Sequence, residues 1–361
     1  MMSNQRLKNL NVRFYPQKLF YAPEWIVLGV NNLCNLHCKM CDVGTQFEKS
    51  NFYYNLMGSR PLNMPLDLIM LIIEQTSLYF PKAKLGFAFT EPLIYPHLIE
   101  SITMASAKNL HTALTTNALT LKKKAEDLVE AGLKELFISL DGPSEIHNFI
   151  RGNKRSFEKA ILGIEKIISI SKSKPGISIF CTVTEWNIGH LIEFIEVFLK
   201  LPIKQIGFMH TNYTPNTVVE IHNQIYGNSY PATISNIEEI NLGNFDLDKL
   251  LSEIIYIKKN DYPFPVTFSP DLITVEELET FYLKPEKIIG NICNDAFRTI
   301  MIKSNGSVIP SHGRCYNIDV GNIYETSLKD IWNSAILAKF RKTLIDAGGL
   351  LPACSRCCSA F

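Results

Sequence analysis

The sequence feature that most constrains the fold is a regular alternation of short apolar runs with helical patterns. The apolar runs predict six strands, at residues 25–30, 84–89, 111–115, 135–140, 176–183 and 205–210. Helical patterns separate them, such as the apolar face formed by Phe157, Ala160 and Ile164. Strand and helix alternating at this spacing form right-handed βαβ units on a parallel sheet. Six units predict an α/β fold with a partial (β/α)6 barrel, whose chemistry should lie at the carboxyl ends of the strands.

Composition limits the classes of function. The chain has 361 residues, of which 46% are hydrophobic, and a net charge of +1. This argues against a broad nucleic-acid or anionic-membrane surface. No apolar run reaches membrane-spanning length, and residues 1–11 carry no apolar signal core. Eight of the nine cysteines cluster at the front and the back, which predicts metal binding in a reducing, cytoplasmic compartment, while Cys181 alone is expected in the core.

Three cysteines directly follow the first predicted strand. Cys34, Cys38 and Cys41, named here the front cysteines, have the spacing C-x3-C-x2-C. Iron–sulfur cubes are normally held by four thiolates, so three thiolates leave one iron open for chemistry. The alternative is a zinc site, although zinc sites usually show two pairs of ligands.

The spacing and position of the front cysteines resemble those of the radical S-adenosylmethionine (SAM) superfamily. Met40 stands where the family often has an aromatic residue, next to the bound cofactor. The resemblance implies a 4Fe–4S cluster whose open iron is chelated by SAM. It also implies that the reduced cluster cleaves SAM to a 5′-deoxyadenosyl radical, which takes a hydrogen atom from the substrate.

The ends of the second and third strands extend this resemblance. Phe89-Thr90-Glu91-Pro92 is similar to the family's Gly-Gly-Glu-Pro segment, with Thr90 in place of a glycine. The resemblance implies that Glu91 accepts a hydrogen bond from the SAM amino group. A strand-end turn with a solvated glutamate is the alternative. Asn117, in a segment similar to Thr-Asn-Gly, is expected to face SAM or the substrate.

The end of the fourth strand resembles a subgroup pattern of Ser-x-Asp-Gly followed by Arg-Gly. A hydroxyl on Ser139 and a planar guanidinium on Arg151 suit the SAM carboxylate. Asp141 either accepts from the ribose or positions Arg151. The family's backbone contacts to adenine place Val183 and Met209 at the ends of the fifth and sixth strands.

Two histidines near these strand ends are less informative. His147, in the spacer between the aspartate and the arginine, is expected at the surface or as a capping residue. His210, at the end of the sixth strand, has either a substrate role or none.

The last part of the chain carries a second cysteine set. A cysteine, a hairpin with glycine, a second cysteine, an Ile-Trp helix and a terminal C-x2-C occur in an order similar to the SPASM/twitch extension of radical SAM enzymes. The resemblance implies one auxiliary 4Fe–4S cluster. Its ligands, named here the auxiliary cysteines, are predicted to be Cys293, Cys315, Cys354 and Cys357. Cys358 is an alternative to Cys357, and a zinc knuckle is the alternative to the cluster.

Ser311 stands where the family tends to have its hairpin cysteine, and His312 follows it. In related members this next position lies near the substrate and can carry an acid–base residue. A histidine has a suitable pKa for taking a hydroxyl proton during radical oxidation. His312 is therefore a candidate catalytic base, and a structural hairpin histidine is the alternative.

These patterns predict a cover segment at 1–24, a radical SAM barrel at 25–210, a substrate-side connection at 211–290 and an auxiliary cluster domain at 291–361. The predicted activity is oxidation or epimerisation of a small polar substrate such as a sugar or aminocyclitol, because the N-terminus lacks the leader-recognition module common in peptide modifiers. Radical modification of a peptide is the alternative, and a non-catalytic electron carrier or sensor is a remote one. A reducing partner such as flavodoxin or ferredoxin is expected, without nucleic acid or membrane.

Overall fold

One large, mostly parallel sheet forms the centre of the computed structural model, which describes residues 4–171 and 173–361. The strands are β1 (Trp25–Leu28), β2 (Lys84–Phe87), β3 (His111–Thr116), β4 (Glu135–Ser139), β5 (Gly176–Val183), β6 (Gln205–His210), β7 (Val266–Ser269), β8 (Thr299–Ile302) and β9 (Val308–Ile309). Within the described residues they form a nine-stranded sheet in the order β7-β6-β5-β4-β3-β2-β1-β8-β9. Only the β8–β9 hairpin is antiparallel among these neighbours. The predicted α/β fold and its partial barrel are confirmed.

Helices connect and cover these strands. They are α1 (Asn4–Phe14), α2 (Asn51–Met57), α3 (Leu66–Tyr79), α4 (Leu98–Ala107), α5 (Leu121–Glu130), α6 (Ser144–Ile150), α7 (Ser156–Ser169), α8 (Leu191–Glu196), α9 (Asn216–Tyr226), α10 (Leu247–Lys259), α11 (Val275–Leu283), α12 (Asp295–Arg298), α13 (Leu328–Trp332) and α14 (Ala335–Asp346). Short 3₁₀ turns occur at Pro92–Ile94, Leu242–Asn244, Pro352–Cys354 and Cys358–Ala360. The predicted apolar face of α7 is buried through Phe157, Ala160 and Ile164. None of the described helices has the length and apolar composition that a membrane crossing requires.

Within the described residues, the sheet contains more strands than the six predicted for the barrel. β7 lies in the connection expected at 211–290 and pairs with β6. Its four residues bury only Phe268, so no apolar run marks it in the sequence. β8 forms the predicted hairpin with β9, and it also pairs in parallel with β1, opposing Thr299 to Trp25. The predicted domain boundaries remain a prediction, since the sheet crosses two of them.

Two helices, α1 and α2, lie outside the helical patterns predicted from the sequence. The N-terminal cover segment includes α1, and the loop after the front cysteines includes α2. The Ser50 side chain caps α2 by accepting from the amide of Tyr53. Asn55 Nδ2 of α2 donates to the carbonyls of Gly313 at 2.9 Å and Cys315 at 2.8 Å. These partners lie far along the chain, so a local sequence pattern does not show the contact that stabilises this helix.

Candidate active site

The front cysteines lie on a tight loop after β1. The amide of Cys41 donates to the Cys38 carbonyl at 3.2 Å, and the amide of Thr45 donates to the Cys41 carbonyl at 2.9 Å. A Cβ on Gly44 would lie 2.3 Å from the Cys38 carbonyl oxygen, so this turn requires glycine. Burial raises the pKa of Cys38 to about 12 and that of Cys41 to about 11, and the neighbouring thiols add to both shifts. Cations deprotonate such thiols on binding, so three neighbouring thiols, one buried and two half-buried, fit a cluster with one open iron.

Glu91 is fully buried where β2 ends. Its carboxylate accepts from the Leu93 amide at 2.9 Å, the Thr116 hydroxyl at 2.6 Å and the Asn117 amide at 2.8 Å. Burial raises the pKa of Glu91, while these bonds oppose the shift. The alternative of a solvated glutamate is therefore wrong. Asn117 Nδ2 in turn donates to Asn35 Oδ1 at 2.8 Å, which joins this strand end to the loop of the front cysteines.

Asp141 and Arg151 form a buried ion pair beside the front cysteines. Arg151 Nε lies 2.5 Å from Asp141 Oδ2, and Arg151 Nη1 donates to Cys38 Sγ at 3.7 Å. The other oxygen of Asp141 accepts from the Thr182 amide at 3.0 Å. Burial lowers the pKa of Arg151, but the contacts with Asp141 and Cys38 outweigh it and raise this pKa. Of the two roles left open for Asp141, the contacts favour the positioning of Arg151.

Both histidines at this edge of the sheet are buried. His147 is fully buried, so its expected surface position is wrong, and its Nδ1 accepts from the Asp141 amide at 3.0 Å. Burial, helped by the Arg151 charge, lowers the pKa of His147. His210 Nδ1 lies 2.7 Å from the Tyr282 hydroxyl, and burial lowers the pKa of His210 to about 3. These contacts support structural roles for both.

The other predicted SAM residues surround the same end of the sheet: Met40, Thr90, Ser139, Val183 and Met209. The Thr90 hydroxyl donates to the Asn31 carbonyl at 2.8 Å. Ser139 and Met209 are half-buried at the ends of β4 and β6, whereas Met40 and Val183 are buried. The Val183 carbonyl already accepts from the Thr211 hydroxyl. Their contacts with SAM remain predictions.

The four auxiliary cysteines line one cavity of about 560 Å³. The Tyr316 hydroxyl lies 3.2 Å from Cys354 Sγ, and the Ser311 hydroxyl lies 3.4 Å from Cys293 Sγ. Burial raises the pKa of Cys354 to about 11, and it also raises the pKa of Cys293 and Cys315, with further contributions from neighbouring thiols. Four thiols around one cavity, buried at Cys293 and half-buried at the other three, fit a single 4Fe–4S cluster with a full ligand set. Cys358 is not among the residues that line this cavity.

His312 lies at the edge of this set. Its ring and the thiols of Cys357 and Cys358 bring their ligand atoms within 4.8 Å of one another. The ring stacks on Phe52 with centroids 6.5 Å apart, and its Nδ1 accepts from the Arg314 amide at 3.4 Å. Burial lowers the pKa of His312, but Cys357 outweighs it and raises this pKa. The base role stays a prediction. The zinc alternative, which uses the same four auxiliary cysteines as the cluster, also remains a prediction.

The two cysteine sets lie at the same end of the molecule. Asp42, next to Cys41, accepts from the Ser235 hydroxyl at 2.6 Å and from the Asn236 amide at 2.6 Å. From the auxiliary side, Arg314 Nη1 donates to the Asn212 carbonyl at 2.7 Å. The segment after β6 thus contacts both cysteine loops. Sequence reasoning placed substrate contacts in this segment but missed Asp42 and Arg314, whose only signal was adjacency to predicted ligands.

Comparison with known proteins agrees with this geometry. Residues 29–196 match the model of the radical SAM superfamily, and residues 293–358 match that of the SPASM iron–sulfur cluster-binding domain. A tungsten-containing aldehyde ferredoxin oxidoreductase cofactor-modifying protein of Pyrococcus furiosus is 21% identical, over 92% of this chain and 87% of that protein. GTP 3′,8-cyclase of Campylobacter lari is 31% identical, over 52% of this chain and 55% of the cyclase.

Solved structures share the fold. SuiB of Streptococcus suis, bound to precursor peptide SuiA, has a TM-score of 0.64 at 17% identity, covering 98% of this chain and 75% of that chain. The protein anSMEcpe with bound AdoMet and Cp18Cys peptide has a TM-score of 0.58 at 19% identity, covering 88% of this chain and 82% of that chain.

The fold, the two cysteine sets and these matches define the class: enzymes that combine a SAM-cleaving iron–sulfur barrel with an auxiliary iron–sulfur domain. The chain belongs to the radical SAM superfamily and carries a C-terminal SPASM domain. Membership brings a 4Fe–4S cluster, SAM and auxiliary iron–sulfur binding as its cofactors, which confirms the cofactor types predicted from the sequence.

Proposed function

We propose that both cysteine sets act on one substrate held between them, which is oxidised or epimerised after hydrogen abstraction. The observation that carries this proposal is that the segment after β6 contacts both loops, through Asp42 on the front side and Arg314 on the auxiliary side. When bound, the front cluster and SAM supply the 5′-deoxyadenosyl radical, and the auxiliary cluster supplies an electron acceptor. The proposed domains have the same two roles: the barrel at 25–210 holds the front cluster and SAM, and the auxiliary domain at 291–361 holds the auxiliary cluster.

The residues of the chain orient the cofactor and the substrate. Glu91 binds the SAM amino group through the acceptor capacity that its three protein hydrogen bonds leave free. Asp141 holds Arg151 against the front loop, so that the remaining guanidinium donors face the SAM carboxylate beside Ser139. His312 takes the proton that substrate oxidation releases.

The first candidate substrate is a small polar metabolite such as a sugar or aminocyclitol. The cavity of the auxiliary cysteines is also lined by residues that are not predicted to hold the cluster. Neutral polar side chains contribute to its lining, among them Asn51, Thr214, Thr233 and Ser235. Such groups recognise hydroxyl-rich ligands through hydrogen bonds.

The second candidate substrate is a peptide. The solved structures of SuiB with precursor peptide SuiA and of anSMEcpe with Cp18Cys peptide support it, since both share this fold. For either substrate, we expect a low-potential electron donor such as flavodoxin or ferredoxin. The nine cysteines are free thiols, which supports a reducing compartment such as the cytoplasm.

The test is an anaerobic reconstitution followed by reduction and incubation with SAM. Metabolites and peptides are then screened for substrate-dependent 5′-deoxyadenosine, and mass spectrometry of each candidate identifies the product. A protein with the three front cysteines replaced by alanine is the matched control. Stimulation by a metabolite supports the first candidate, and stimulation by a peptide supports the second. Equal 5′-deoxyadenosine from the control would contradict the proposal.

A further inference from the structure

The positive charge of Arg314 has no ion-pair partner among the described residues. Its Nη1 donates to the Asn212 carbonyl at 2.7 Å and its Nη2 to the Thr214 hydroxyl at 3.4 Å. Both acceptors are neutral, and no carboxylate of a described residue forms an ion pair with it. The side chain is half-buried and lines the cavity of the auxiliary cysteines. A guanidinium has five N–H donors, so several remain for a ligand.

The buried arginines of the chain satisfy this group in different ways. Arg341 donates to the carbonyls of Ala296 and Trp332 and has no ion-pair partner among the described residues. Arg151 forms the ion pair with Asp141. Arg356 donates to the carbonyls of Phe281, Lys287, Thr280 and Lys284 and to the Ser355 hydroxyl. Arg314 has neither a counter-ion in contact nor a full set of acceptors. Unlike these arginines, Arg314 lines a cavity, where its remaining donors can bind a ligand.

The nearby acid does not fill this role. Asp42 acts on Arg314 electrostatically without an ion-pair contact. Both of its oxygens already accept hydrogen bonds, from the Ser235 hydroxyl and the Asn236 amide. The free donors of Arg314 therefore remain available on the cavity side. A planar guanidinium binds carboxylates and phosphates through paired, charge-assisted hydrogen bonds.

We propose that Arg314 binds an oxyanion of the substrate, a carboxylate or a phosphate, and so fixes the substrate between the two cysteine sets. This inference rests on the proposed function and adds to it a chemical class, an anionic substrate. Arg314 lies beside the auxiliary cysteines and donates to the segment after β6, which also contacts the loop of the front cysteines. An anion bound to Arg314 is therefore placed near both cysteine loops. The competing role is that Arg314 only compensates the negative charge of the auxiliary cluster.

The experiment measures anion binding to the reconstituted, reduced full-length protein, with inorganic phosphate and carbon-13 acetate as separate probes. The reduced clusters are paramagnetic, and their effect on nuclear relaxation falls steeply with distance, so only anions bound near them relax faster. We expect faster relaxation of at least one probe. Arg314→Gln should weaken that binding by about tenfold or more, the size expected for losing a charge-assisted hydrogen bond. The probe that responds distinguishes phosphate from carboxylate.

Arg155→Gln is the matched control, since Arg155 is exposed and lies outside this cavity. If Arg314→Gln loses iron, Arg314→Lys keeps a positive charge and should retain weaker anion binding. No relaxation effect in the unmodified protein, or an equal effect in Arg314→Gln, would overturn the inference. A shifted reduction potential of the auxiliary cluster with unchanged anion binding would establish the competing role. Anion binding does not require SAM cleavage, so this test can fail or succeed independently of the proposed function.

Discussion

Replacing Glu91 by glutamine tests the most buried contact proposed for SAM. Glu91 Oε1 accepts from the Leu93 amide at 2.9 Å and the Thr116 hydroxyl at 2.6 Å, while Oε2 accepts from the Asn117 amide at 2.8 Å. An ionised carboxylate has about four acceptor sites, so one remains for the SAM ammonium group. Glutamine keeps the shape but offers a single acceptor oxygen and no charge.

The magnitude follows from these contacts. Losing a charge-assisted hydrogen bond costs about 1.5–3 kcal/mol, so SAM affinity should fall by about tenfold or more. The glutamine NH₂ group, a donor, would replace one carboxylate oxygen. It would then face another donor, either the Asn117 amide or the Leu93 amide and the Thr116 hydroxyl. An unmatched buried donor costs about 1–3 kcal/mol, so the free energy of unfolding should fall as well.

The assay is calorimetric titration of SAM into reconstituted Glu91→Gln protein with matched iron content, together with denaturant unfolding. Glu126→Gln is the control, because Glu126 is an exposed partner of Lys166 far from the front cysteines in the chain. Wild-type SAM affinity in Glu91→Gln would refute the SAM role. If the free energy of unfolding also fell in that case, Glu91 would have a structural role alone.

Four further predictions concern the two cysteine sets and two histidines. Replacing all three front cysteines by alanine should abolish 5′-deoxyadenosine formation and remove about four irons per protein; undiminished formation would contradict the front cluster. In the protein without the front cysteines, iron analysis should still find about four irons. Adding Cys357→Ala should remove these irons, and adding Cys358→Ala should not. Zinc in place of the iron would support the zinc knuckle. His312→Ala should still form 5′-deoxyadenosine but release little oxidised product, and an equal loss of both would make His312 structural. Because the pKa of His210 is lowered to about 3, the unfolded state binds more protons below its ordinary pKa near 6.5. Stability should therefore fall as the pH falls, by about 1.4 kcal/mol between pH 7.5 and 5.5, and denaturant unfolding of His210→Gln should lack this loss.

The barrel and the cysteine sets could be predicted because their signals are local. Each of the six strands is an apolar run that a helical pattern separates from the next. The front cysteines lie within a few residues of one another, and the β8–β9 hairpin has its turn residues in place. The auxiliary cysteines are spread more widely, yet their order along the chain was enough to predict that they converge.

The rest depends on contacts that a local pattern does not contain. The sequence around β7 shows a single buried position, Phe268, and no amphipathic alternation. The spacer position of His147 suggested solvent, but the Asp141 amide requires a buried acceptor there. The two neutral acceptors of Arg314 and its place at the cavity depend on the fold, and the order of residues does not show them.

The pairing of β8 with β1 has a consequence for how the protein is made. Trp25 is synthesised long before Thr299, which lies in the strand that covers the second edge of β1. Until then β1 presents unpaired backbone groups, which favour association with other chains. The loop of the front cysteines is attached to this strand. Iron–sulfur assembly on the front loop should therefore follow synthesis of β8, and a chain that stops before β8 should be prone to aggregation.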